Sequence, residues 1–197
     1  MNGKQRIVEQ SKKWLSEAFI ALMEKENYRD ISITEIAEKA QLSRKTFYHS
    51  FKDKEDLIDY YCHCLFEGYF QQLVQQKPQS GEMMLDRTFD IFLHFWWEQR
   101  KALRLLIRQG LFDHMIVIWQ SQATPHYREF AAPWHVEGSQ MQMAYAMAFQ
   151  LGGLTNVLRL WLEQEKPEPP EEIKKAMLAA ARQLADSLDR EDKAEHF

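Results

Sequence analysis

Arg44, Lys45, Tyr48 and His49 lie within six residues of one another, in a stretch from Ser43 to Phe51 whose other members are small hydroxyl or phenylalanine residues. Such a set suits recognition of a polyanion. An arginine can bridge the two acceptors of guanine in the major groove, a lysine can reach guanine or phosphate, and Tyr and Thr hydroxyls can hold phosphate oxygens. Catalysis is not expected, because no glycine-rich phosphate loop, metal-spaced His/Asp/Glu set or nucleophile-elbow pattern is present. Cys62 and Cys64 flank His63, but one helix turns residues i and i+2 to different faces, so neither a disulfide nor a metal site is expected there. His94, His114, His126 and His135 show no ligand spacing either. No metal and no cofactor are implied.

The elements that must position these side chains are helices. Glycine and proline are scarce, and apolar residues recur at three and four, so the fold class is all-α. A first helix is expected from about Gln5 to Glu26, with Val8, Leu15, Phe19, Leu22 and Met23 on its apolar stripe. Ser32-Ile33-Thr34-Glu35 has the form of a capping box opening a second helix. Gln41-Leu42 leaves room only for a tight turn before Ser43, a good N-cap, opens a third. Two short helices so joined form a helix-turn-helix. Leu42, Phe47 and Phe51 fit its core, which turns Arg44, Lys45, Tyr48 and His49 outward. Thr34 at the start of the second helix and Lys54 at the start of the fourth would clamp the duplex on either side.

Charge agrees once its distribution is considered. The chain carries a formal −4, which would repel phosphate, yet between Ala40 and Lys54 four cations stand against Asp53 alone. The acid lies mainly from Glu163 to Glu172 and from Asp186 to Glu195. With 45% hydrophobic residues the chain can bury a core. No apolar run is long enough to span a bilayer, and the first six residues open polar, so a cytoplasmic protein with no membrane partner is expected.

Behind the helix-turn-helix, Asp53 caps a fourth helix that runs toward Lys77-Pro78, giving expected domains at 1–52 and 53–197. Helices are expected from Glu82 to Gln99, from Lys101 to Gln109 with Gly110 as C-cap, and from Leu111 to Gln122, before Pro125. Two long ones follow, from about Glu137 to Gln164 and from Pro170 to Leu188, with a frayed tail over 189–197. Gly152 and Gly153 fall mid-helix at about 1 kcal/mol each relative to alanine, which argues for close approach of another helix. Aromatic and methionine stripes could line an apolar cavity, with Phe92, Trp96, Trp119, Tyr145 and Phe149 as candidate effector contacts.

The segment Thr34-Glu35-Ile36-Ala37-Glu38-Lys39-Ala40-Gln41-Leu42-Ser43-Arg44-Lys45-Thr46-Phe47-Tyr48-His49-Ser50-Phe51-Lys52-Asp53-Lys54-Glu55-Asp56-Leu57 resembles the DNA-binding region of the TetR family of bacterial regulators. The Gly-Gly-Leu and Trp-Leu pattern is similar to the branch containing regulators of dihydroxyacetone kinase operons, some of which are coactivators. The resemblance implies an N-terminal three-helix DNA-binding domain and a helical C-terminal domain that binds a small-molecule effector. It also implies a homodimer on a palindromic operator of double-stranded DNA, with repression as the family default. By position, the DNA contacts fall on Thr34, Arg44, Lys45, Thr46, Tyr48, His49 and Lys54, beside the capping Ser43. The dimer interface falls on the last two long helices, at Met147, Leu151, Leu154, Leu158, Met177, Ala180 and Leu184. The effector would act by displacing the fourth helix. Two positions depart from the family pattern. Gln41 replaces the usual turn glycine, for which a slightly different turn is expected, and Ser50 replaces the histidine common before the final Phe.

Overall fold

A computed structural model describes residues 3–76, 85–126 and 136–194. Within them every regular element is an α-helix: α1 (Gly3–Met23), α2 (Ile33–Lys39), α3 (Arg44–Ser50), α4 (Lys54–Gln75), α5 (Leu85–Glu98), α6 (Arg100–Arg108), α7 (Phe112–His126), α8 (Gln140–Glu163) and α9 (Pro170–Ala194). The all-α expectation holds, with several helix ends moved: α1 stops at Met23 and α8 opens at Gln140 behind its N-cap Ser139. α7 continues past Pro125 instead of stopping before it; in a last turn, proline removes only one hydrogen bond and nothing further depends on it. α9 extends to Ala194, where a frayed tail was expected. Residues 195–197 lie outside the described set, as do Trp134, His135 and the break at 78–81. No helix among the described residues is long and apolar enough to cross a membrane.

The described chain groups into two compact units, and each draws on two stretches of sequence. Residues 1–70 and 102–125 form one, residues 71–101 and 126–197 the other. All of α6 beyond its first two residues and all but the end of α7 group with the N-terminal helices.

In the first unit α1, α2 and α3 pack on one another. Leu15, Phe19, Met23, Ile36 and Phe47 are fully or almost fully buried between them. Removing a phenylalanine side chain from water stabilises by about 1.5–3 kcal/mol, so burial of Phe47 helps to anchor the seven-residue α3. α4 adds Leu57, Ile58 and Phe66, and α7 adds Trp119, whose ring lies 6.0 Å from that of Phe66. Cys62 is buried and Cys64 exposed, as positions two apart on a helix require; burial pushes the Cys62 thiol up to about 12.

In the second unit α5 packs along α9, with Lys174 of α9 bridging Asp86 and Asp90 of α5 at 2.9 and 2.7 Å. Trp97 stacks on Trp161 at 5.4 Å, and the Trp161 indole N–H donates to the Glu168 carbonyl at 2.8 Å.

Candidate nucleic-acid interface

α2 begins where the sequence places its box. The Ser32 N–H donates to the Glu35 carboxylate at 2.7 Å, and the Glu35 N–H donates to Ser32 Oγ at 3.2 Å. The Ser32 hydrogen bonds hold the Glu35 carboxyl below its ordinary value of 4.5.

The turn that follows is a Schellman motif. Leu42 N–H donates to the Ala37 carbonyl at 2.9 Å and Gln41 N–H to that of Glu38 at 3.0 Å. Gln41 itself adopts φ +57. The expectation of a different turn is thus corrected: the turn is the one glycine would make, and Gln41 takes up the left-handed strain.

Ser43 then caps α3, accepting from the Thr46 N–H at 3.0 Å, and its hydroxyl lies 2.9 Å from that of Thr46. Two hydroxyls carry two hydrogens, and the bond between them uses one. The other remains available to an acceptor outside the protein. Phe47 is buried, flanked by Phe51 at 5.9 Å and by Tyr48 edge-on at 5.6 Å. With Phe47 fixed inward, helical geometry turns Arg44, Lys45, Tyr48 and His49 to the exposed side. Tyr48 is 52% exposed despite its size, and neither Arg44 nor Lys45 forms an ion pair among the described residues. Thr34 is half-buried in the first turn of α2. Ser50, at the departure from the usual histidine, turns its hydroxyl back to the Thr46 carbonyl at 3.1 Å.

Lys54, an expected duplex contact, is engaged within the chain. Its ammonium donates to three backbone carbonyls of the α1–α2 loop, Tyr28 at 2.9 Å, Arg29 at 3.1 Å and Ile31 at 2.6 Å, and lies 5.1 Å from the centre of the Tyr28 ring. An ammonium has three donors, and all are occupied. Gln109 grips the same loop, a contact that sequence reasoning missed because its backbone partners lie more than eighty residues away.

The candidate effector and dimer residues differ in unit and in burial. Phe92 and Trp96 are buried in the second unit and Trp119 in the first. Tyr145 and Phe149 are 69% and 75% exposed on α8, so they do not line an enclosed cavity. They belong to a stripe at four-residue steps, Met141, Tyr145, Phe149, Gly153, continued by Leu160. Phe149 also borders an apolar groove of about 490 Å3 whose walls include Leu85, Phe89, Val157, Met177 and Ala180. Among the expected dimer residues, Ala180 and Leu184 are exposed and Met147, Leu151, Leu154 and Met177 half-buried. Leu158 is fully buried within its own unit and is a core residue, because it points to the opposite side of α8 from Leu160.

Residues 16–61 match the family model of bacterial regulatory proteins, tetR family. The HTH-type dhaKLM operon transcriptional activator DhaS of Lactococcus lactis subsp. lactis (strain IL1403) is 34% identical, over 50% of this chain and 61% of that relative; the chain thus spans about three fifths of its length. The fold is similar to that of a TetR transcriptional regulator from Streptococcus agalactiae 2603V, with TM-score 0.58 and 21% identity over 90% of this chain and 96% of that one. A tetR-family transcriptional regulator from Streptomyces coelicolor gives TM-score 0.57 and 19% identity over 94% and 86%. The dihydroxyacetone kinase operon activator DhaS gives 0.51 and 15% over 91% and 96%. At these identities the structural likenesses show the fold. The family and the relatives so named are regulators, not enzymes.

Proposed function

We propose that this chain, whose N-terminal domain is that of the TetR family, is a DNA-binding transcriptional regulator that grips a palindromic operator as a homodimer and is released by a small-molecule effector. The observation that carries the reading is the outward side of α3. Arg44, Lys45, Tyr48 and His49 are exposed together on a helix anchored by buried Phe47, with a spare hydroxyl hydrogen at the Ser43–Thr46 pair. Arg44 reads guanine, while Lys45, Thr34, the hydroxyl pair and Tyr48 hold phosphates.

Three features support the homodimer. The exposed stripe of α8 leaves large apolar side chains in water, and Leu184 of α9 is 54% exposed. A Cβ added at Gly152 or Gly153 would meet nothing within 4 Å among the described residues, so no described neighbour requires these glycines. A second copy laid along α8 and α9 would bury the stripe and use the glycines for close approach. Such a dimer presents two copies of α3 to successive major-groove turns, about 34–36 Å apart.

Repression is the family default. The relative named as an operon activator favours the second reading, in which the bound dimer raises transcription.

The test is selection from a random duplex library by the purified chain, followed by salt titration. An inverted repeat should emerge, and Arg44→Ala should relax the preferred base at one position per half-site. A library returning no preferred duplex overturns the reading. A reporter behind the selected site then separates repression from activation.

A further inference from the structure

We infer that Gln109 and Lys54 are positioning residues that set the recognition helix by gripping the α1–α2 loop from two sides; this rests on the DNA-binding reading. The loop from Asn27 to Ile31 leads directly into Ser32, the N-cap of α2, so its placement fixes where α2 starts and how α3 is presented.

Two side chains make six hydrogen bonds to this loop and the end of α1. The Gln109 amide donates to the Met23 carbonyl at 2.6 Å and to the Glu26 carbonyl at 2.9 Å, and its oxygen accepts the Tyr28 N–H at 2.8 Å. Lys54 makes the other three, to the carbonyls of Tyr28, Arg29 and Ile31. Tyr28 is therefore held on both sides of its Cα, its N–H by the residue that caps the end of α6 and its carbonyl by the first residue of α4.

Neither gripping residue is free to drift. Gln109 is the C-cap of a second Schellman motif, in which Leu111 N–H donates to the Leu106 carbonyl at 2.8 Å, Gly110 N–H donates to that of Ile107 at 3.0 Å and Gly110 takes φ +70. Lys54 opens α4 directly after Asp53, whose carboxylate accepts the Asp56 N–H at 2.8 Å. The carbonyls they hold are those an α-helix end and a loop leave without intrahelical partners. Water could satisfy several of them, since Glu26 and Arg29 are exposed. The grips thus fix position more than they supply stability. Any motion of the first turn of α4 against the last turn of α6 must release one hold on Tyr28 or carry α2 with it.

The experiment uses the full chain and the duplex it selects, with Gln109→Leu and Lys54→Met read by affinity, salt dependence and amide hydrogen exchange. The expected result is a loss of about five- to tenfold in affinity for each variant with the slope of log K against log salt unchanged, since no phosphate contact is removed. Exchange of the Tyr28 amide should accelerate about tenfold or more in Gln109→Leu. Three outcomes overturn the inference: unaltered Tyr28 exchange, faster exchange with unaltered affinity, or a slope reduced by about one in Lys54→Met, which would make Lys54 a phosphate ligand. Should Gln109→Leu fail to fold, Gln109→Asn retracts the amide by one methylene and is read the same way. A chain that selects no duplex defeats the regulator reading, while the exchange measurement still decides whether the grip exists.

Discussion

Ser43 Oγ and Thr46 Oγ1 stand 2.9 Å apart in the first turn of α3, sharing one hydrogen and leaving one for a partner outside the chain. The pair separates capping from recognition. Ser43→Ala removes the acceptor of the Thr46 N–H and is expected to destabilise the protein by about 1 kcal/mol, seen as a lower urea midpoint at unchanged m. Thr46→Val leaves the cap in place, so its unfolding midpoint should hold while duplex affinity falls. Equal affinity in Thr46→Val would mean that the hydroxyl pair faces no phosphate.

Gln41 and Gly110 occupy the same place in two Schellman turns, with φ of +57 and +70, but only one is glycine. Gln41→Gly should relieve left-handed strain and raise stability by up to about 1 kcal/mol, partly offset by the freer unfolded chain. Gly110→Ala should lower it by about 1 kcal/mol from backbone conformation alone, because an added Cβ meets nothing within 4 Å. Thermal unfolding of both variants checks the opposite signs.

The Ser32–Glu35 box has a pH signature. Its hydrogen bonds lower the folded-state value of the Glu35 carboxyl beneath the ordinary 4.5. The contribution is therefore complete above that value and disappears as acidification passes through the lowered one. Glu35→Gln can still accept from the Ser32 N–H but does not titrate. The unaltered chain should be the more stable at neutrality, with the difference shrinking as acidification passes below the ordinary carboxylate value. A pH-independent difference would show that charge at Glu35 plays no part.

Phe149 and Leu158 should respond in different assays although both belong to α8. Phe149→Glu places charge in the exposed stripe and should yield a monomer by sedimentation at micromolar concentration, with the helical content kept. Leu158→Ala opens a cavity and should cost about 2–5 kcal/mol in unfolding without directly removing an interface contact. Persistence of a dimer in Phe149→Glu would move the interface elsewhere.

The contrast between these residues also shows where sequence was informative. α2 and α3 announce themselves through Ser32, Glu35 and Ser43, whose bonds are local, and through Phe47 and Phe51, whose spacing fixes the inward side. α8 is apolar around much of its circumference, so periodicity alone does not say that Leu158 is core and Phe149 exposed. The role of Lys54 is hidden for another reason: its partners are backbone carbonyls 23 to 26 residues upstream, and a carbonyl has no residue type to read. Gln109, bound to groups still farther back, carried no signal at all.

The interleaving of the compact units bears on synthesis. Residues 1–70 belong with 102–125, and Trp119 covers Phe66. During vectorial emergence from a ribosome, the first unit thus cannot complete its core until residues 102–125 have been made as well. A fragment ending at residue 70 would leave that aromatic surface bare and prone to self-association, so the N-terminal helices are not a cassette that can be excised and grafted by cutting once.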